Sequence, residues 1–148
     1  MPAEGPIAVD AMGGDGAPQT IVRGALESVT DSGISVCLVG PQKRLRRELG
    51  RFRFLPSGLE LVDAPDVVGM NDPAISVLRG KKQSSLNVCA ELVCEGRATA
   101  MVTAGNTGAA WVAAKAALGM IDGVDRPALA AVVPKKEGRT LVLDVGAN

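Results

Sequence analysis

The stretch Ile7-Ala8-Val9-Asp10-Ala11-Met12-Gly13-Gly14-Asp15-Gly16-Ala17-Pro18 reads as a buried strand passing through a glycine turn into a helix. Ile7, Ala8 and Val9 form a short uncharged apolar run of the kind that pairs on both sides within a sheet. Pro18 suits the first turn of a helix, where its missing N–H costs nothing. Ile21, Val22, Ala25, Leu26 and Val29 then recur at helical spacing up to Asp31, and Gly33 follows as a stop.

The same alternation continues outward. Ser35–Val39 reads as a strand, Gly40-Pro41 opens a second helix, and Leu59–Val62 is a third strand. From Asp63 to Gly80, Pro65, Gly69 and Pro73 argue for a loop, with a short helix from Pro73 to Arg79. Ser84–Glu95 is an amphipathic helix, with Asn87, Glu91 and Glu95 on one face and Leu86, Ala90 and Val93 on another. Ala100–Thr103 is a strand. Ala109–Leu118 is a nearly uncharged helix, expected to be buried on most sides. Ala128–Val133 and Thr140–Val145 are further strands. Alternation of this kind predicts an α/β layered fold with a largely parallel sheet. The chain stops just after its last strand, where such folds bind ligands, so it reads as ending inside a site.

Composition narrows the function. The 148 residues are 47% hydrophobic with formal net charge zero, and aromatics make up only 2%. Without a basic excess or stacking platforms, nucleic acid is not an expected partner. No apolar run reaches the length of a membrane span, and Met1–Pro6 lacks signal-peptide character, so a cytoplasmic location is expected. Cys37, Cys89 and Cys94 show no C-x-x-C spacing and are expected to be buried small hydrophobes. Histidine is absent, which removes Ser-His-Asp and Cys-His triads and histidine-based zinc sites from this chain.

Three segments carry candidate chemistry. The loop Asp10–Pro18 could bring backbone amides to an anion, although Asp10 and Asp15 place negative charge there; a tight turn with Asp15 capping the helix explains it equally well. Thr103-Ala104-Gly105-Asn106-Thr107-Gly108-Ala109 has the same strand–loop–helix logic without an acid. Asn106 or Thr107 in that loop either binds phosphate or caps the next helix. Arg79-Gly80-Lys81-Lys82-Gln83-Ser84-Ser85 sets cations before hydroxyls at a helix start; it is a phosphate grip or, more simply, a solvated turn with a serine cap. A further basic run, Lys43, Arg44, Arg46, Arg47, Arg51 and Arg53, is opposed only by Glu48. It is first a solvated helix face, and alternatively a dock for an acidic carrier protein or an anionic membrane.

Together these segments resemble the bacterial phosphate acyltransferases of phospholipid synthesis. Ile7–Asp15 resembles that family's opening, Arg79, Lys82, Ser84, Ser85 and Leu86 its basic-serine segment, and Thr103–Ala109 its S-A-G-N-T-G-A loop. Asp125-Arg126-Pro127-Ala128-Leu129 and Leu143-Asp144-Val145-Gly146-Ala147-Asn148 resemble two more blocks, all in the family's order. Gly16 stands where many of that family have histidine, so no catalytic role falls to that position.

The resemblance implies a three-layer α/β/α fold similar to phosphotransacetylases and isocitrate/isopropylmalate dehydrogenase-like enzymes. This chain would supply the N-terminal part, residues 1–148, of a single acyltransferase domain. It implies transfer of a fatty acyl group from acyl carrier protein, on its phosphopantetheine arm, to inorganic phosphate. A homodimer and a peripheral membrane contact are implied for the full-length protein, and no metal or organic cofactor. Asn106, Thr107 and Lys82 are the implied catalytic residues. Asp10, Gly13, Gly14, Asp15, Arg79, Ser84, Ser85, Gly105, Gly108, Asp144 and Asn148 are the implied substrate-binding residues. A phosphotransacetylase-like enzyme using acyl-CoA, or a non-catalytic fragment, are the alternatives.

Overall fold

The computed structural model describes residues 5–146. Its elements run β1 (Ile7–Asp10), α1 (Gln19–Ser32), β2 (Val36–Gly40), α2 (Gln42–Leu49), β3 (Leu59–Asp63), α3 (Ser76–Arg79), α4 (Ser85–Cys94), β4 (Ala100–Val102), α5 (Thr107–Leu118), β5 (Ala130–Pro134) and β6 (Arg139–Leu143). The first four strands form a parallel sheet in the order β3-β2-β1-β4.

Strand β2 shows why the sheet is covered on both sides. All five of its residues are buried, and alternate side chains go to opposite faces. Val36 and Leu38 pack with Val22, Leu26 and Val29 of α1 and Leu45 and Leu49 of α2. Cys37 and Val39 pack with Cys89 and Leu92 of α4. The result is a three-layer α/β/α arrangement. Helix α1 ends as its sequence implies: Gly33 takes φ 67°, and the Gly33 and Ile34 amides donate to the Val29 and Ser28 carbonyls.

The chain steps from β1 to β2 to β3 in one direction, then returns to place β4 on the other side of β1. The reversal between β1 and β4 leaves a crevice at the carboxyl ends of those two strands, the usual ligand position in open α/β sheets.

Three sequence expectations are corrected. The last two strands do not extend the parallel sheet; β5 and β6 pair antiparallel as a separate hairpin. Only Lys135–Gly138 connects them, and a parallel crossover needs roughly a dozen residues or more. Helix α5 is less buried than its composition suggests, with Ala109 and Ala113 its only buried residues. It follows the edge strand β4, so its Trp111 side faces an open cavity instead of a further strand. Finally, Cys37 and Cys89 are buried but Cys94, in the last turn of α4, is exposed.

Candidate functional site

Both glycine loops leave the sheet at this reversal. Asp10 ends β1 and is 2% exposed. Its Oδ1 accepts from the Met12 amide at 3.0 Å, folding the first loop back on itself. Its Oδ2 accepts from Thr103 Oγ1 at 2.7 Å, across to the loop after β4. The Thr103 hydroxyl in turn accepts from the Gly105 amide at 3.0 Å. One hydroxyl thus fixes both loops.

The glycines permit this approach. A Cβ on Gly13 would lie 2.6 Å from Asp10 Oδ2 and 2.7 Å from both the Gly105 nitrogen and Thr103 Oγ1. A Cβ on Gly105 would lie 2.9 Å from the Gly13 Cα. Gly14, at φ 97°, sits against the Ala104 backbone. Asp10, Gly13, Gly14 and Gly105 therefore form one junction. Asp15 is exposed and does not cap α1, whose first turn receives no side-chain cap.

Asn106 occupies the start of α5. Its Oδ1 accepts from the Ala109 amide at 3.0 Å, an N-cap. Its Nδ2 donates to the carbonyls of Gly69, Met70 and Asp72 at 3.3, 3.1 and 2.9 Å. The side chain thus joins the long loop after β3 to the start of α5. Gly108 lets Ala74 approach, since a Cβ there would lie 3.3 Å from the Ala74 side chain. The amides of Thr107 and Gly108 precede the first intrahelical bond, from Ala110 N to Asn106 O, and so face out of the positive end of α5.

The loop between Ala64 and Ser84 is held at several points. Lys81 Nζ donates to the Val67 carbonyl at 2.7 Å and forms an ion pair with Asp72, whose Oδ2 also accepts from the Gly69 amide at 2.7 Å. The Lys81 ammonium, followed by the Gly69 amide, holds the Asp72 carboxyl below the ordinary carboxylate range. Asn87 Nδ2 donates to the carbonyls of Val77 and Lys82 at 2.6 and 3.0 Å. Ser84 is buried and caps α4, accepting from the Asn87 amide at 3.3 Å. Ser85 is buried beside it in the first turn.

The other sequence candidates lie farther out. Arg79 is exposed at the end of α3. Lys82 lines a surface depression with Glu91, Ala116 and Ala117, close to the far end of α5 and roughly 14 Å along that helix from Thr107. Asp144 belongs to the hairpin end, where its amide donates to the Leu129 carbonyl at 2.7 Å. Asn148 lies outside the described residues. The residues that sequence reading missed are Thr103, Lys81, Asp72 and Asn87. Thr103 lay inside a quoted loop, but only the pairing of β1 with β4 reveals its partner.

An apolar cavity of about 440 Å³ opens beside the second loop, lined by Thr103, Gly105 and Thr107 at one end and Met101, Trp111 and Leu129 among its apolar walls. Trp111 Nε1 donates to the Pro127 carbonyl at 3.2 Å, which fixes that wall. Among the described residues no cluster of three or more His, Cys, Asp or Glu could hold a metal ion. No helix among them is long and apolar enough to cross a membrane. Chemically, the junction offers outward-facing amides and hydroxyls at a helix N-terminus, next to an apolar wall.

Comparison with known proteins gives a consistent result. The family model described as fatty acid synthesis protein matches residues 6–148. A protein named phosphate acyltransferase from Pelobacter propionicus is 49% identical over 142 residues, covering 96% of this chain and 41% of that relative. Proteins of the same name from an Anaeromyxobacter species and from Koribacter versatilis are each 50% identical, over 143 and 146 residues. The chain spans about 40% of the length of these curated relatives.

Proposed function

This chain belongs to the family of fatty acid synthesis proteins, and we propose that it forms the phosphate-binding part of an acyltransferase that moves a fatty acyl group from acyl carrier protein onto inorganic phosphate. The observation that carries the reading is the meeting of two glycine loops at the β1–β4 reversal, joined by Thr103 and Asp10. The name borne by the similar proteins supports the same chemistry.

Phosphate is ionised near neutral pH and needs no strong base to attack a thioester. One phosphate oxygen forms the new C–O bond, the C–S bond breaks, and the departing thiolate takes up a proton as free carrier protein. The site's task is to hold phosphate in line and to stabilise the carbonyl oxyanion. The amides of Thr107 and Gly108, with the Thr107 hydroxyl, are the donors assigned to that anion. Asn106 holds the loop end from which they project. The cavity lined by Met101, Trp111 and Leu129 is assigned to the apolar part of the donor.

The test is a turnover assay on the full-length protein with acyl-carrier protein as donor. Release of carrier thiol should rise with inorganic phosphate and saturate, with acyl phosphate formed in equal amount. Faster turnover with acyl-CoA would move the assignment to the phosphotransacetylase-like reading. Thiol release independent of phosphate would end both.

A further inference from the structure

One face of α5 runs along the apolar cavity beside the second glycine loop. Thr107, Ala110, Trp111, Ala114, Lys115 and Leu118 all line that cavity, and they recur at the spacing of a single helical stripe. The stripe begins at the helix N-terminus, with the Thr107 hydroxyl and the amides assigned to phosphate. It ends in the last turn, where Lys115 is the only charged residue of α5. Among the described residues it is also the only charge lining the cavity. Eight residues separate Thr107 from Lys115, about 12 Å along the axis.

Lys115 is exposed, and among the described residues it forms no ion pair. Its ammonium stands 5.5 Å from the centroid of the Trp111 ring, a cation–π contact. That ring is itself fixed, its Nε1 donating to the Pro127 carbonyl at 3.2 Å. A lysine in the last turn suits the negative end of a helix on any side of the axis. Here the indole keeps it on the cavity side, an uncompensated cation at the end of an apolar trough.

We infer that Lys115 receives the phosphate at the end of a phosphopantetheine arm, and that the arm lies along α5 with its thioester at Thr107. From sulfur to phosphorus the arm is about as long as four to five extended residues, roughly 15 Å. That length spans the stretch from Thr107 to Lys115. The arm's dimethyl and methylene groups are then the apolar part of the donor that meets Trp111 and Leu129. An acyl chain in the same trough would carry nothing to pair with the ammonium, whereas the arm ends in an anion. Carrier protein and CoA both present this arm with an anionic phosphate at its end, so the contact serves either donor. The assignment rests on the acyltransfer reading.

The experiment measures kcat/KM of the full-length protein, at saturating inorganic phosphate, for three donors of one acyl group. They are acyl-carrier protein, acyl-CoA and acyl-pantetheine, the last being the same arm without its phosphate. Lys115→Met should lower the advantage of both phosphate-bearing donors over acyl-pantetheine by about tenfold, chiefly through KM. Lys115→Glu should lower it further, and Lys115→Arg should restore most of it. Lys115→Gln takes the place of the Met variant should that one fail to fold. A wild-type advantage in the folded variants would overturn the assignment. An equal loss on all three donors would also overturn it, leaving Lys115 as a prop for Trp111. A loss confined to acyl-carrier protein would do the same, by setting the ammonium against an acid of the carrier surface. Absence of phosphate-dependent turnover by the wild type would sink the acyltransfer reading and this assignment together. Wild-type turnover with an unmoved donor preference in the variants would sink the assignment alone.

Discussion

Thr103 Oγ1 donates to Asp10 Oδ2 at 2.7 Å, a bond that joins loops 93 residues apart in sequence. Because the same hydroxyl accepts from the Gly105 amide, its removal frees both loops at once. Thr103→Val should destabilise the protein by about 1–3 kcal/mol, the range for a buried polar group that loses its partner. Thr103→Ser, which keeps the hydroxyl, should lose less. Thermal unfolding of both variants checks this, and equal stability of Val and wild type would remove the hydroxyl from the account.

Asn106 combines two duties, and substitution separates them. Asn106→Ala removes the α5 cap and the three carbonyl contacts, and should cost about 1–2 kcal/mol. Asn106→Ser keeps a cap but cannot hold Gly69, Met70 and Asp72. Limited proteolysis should therefore cut the 69–72 loop faster in both variants, while Ser recovers part of the stability. In the full-length enzyme both should lower turnover strongly. Turnover of the Ala variant close to wild type would show that the carbonyl contacts do not position the site.

Gly13 and Gly24 should respond to alanine with opposite signs. At Gly13 a methyl meets Asp10, Thr103 and the Gly105 backbone, none of which is the loose end of a flexible chain. Overpacking of this kind costs about 1–3 kcal/mol or more. At Gly24, inside α1, a methyl meets nothing within 4 Å. There alanine should stabilise by about 0.5–1 kcal/mol through helix propensity. Melting temperatures of the pair make the comparison.

Asp72 brings a pH dependence to the long loop. Its folded pKa is lowered by Lys81 and the Gly69 amide, so the deprotonated form favours the folded loop. That contribution is present above the unfolded carboxylate value of about 4 and is lost as pH falls through the lower folded value. Amide protection of the 67–72 segment, taken relative to the intrinsic exchange rate at each pH, should therefore fall below about pH 4. The fall should be absent in Asp72→Asn, whose loop is less protected throughout.

The three cysteines should differ in reactivity. Burial raises the Cys89 thiol far above its ordinary pKa, and burial with the Glu60 carboxylate raises Cys37. Cys94 is exposed. A maleimide should modify Cys94 in the native protein and all three only after unfolding. Mass spectrometry of labelled peptides reads the order, and early labelling of Cys89 would contradict its place in the core.

The amino-acid order alone determined the layered α/β class, the stop of α1 at Gly33 and the strand–loop–helix character of both glycine segments. These follow from local periodicity and from glycine's freedom at positive φ, which need no knowledge of neighbours. The tertiary structure decided what each polar residue touches. Lys81 and Lys82 are adjacent and alike in chemistry, yet Lys81 ties down Val67 and Asp72 while Lys82 lies beside Glu91. The exposure of α5 likewise followed from β4 being the edge of its sheet, not from the composition of the helix. Strand order brings Asp10 to Thr103, and strand order is a property of long-range pairing that no local pattern contains.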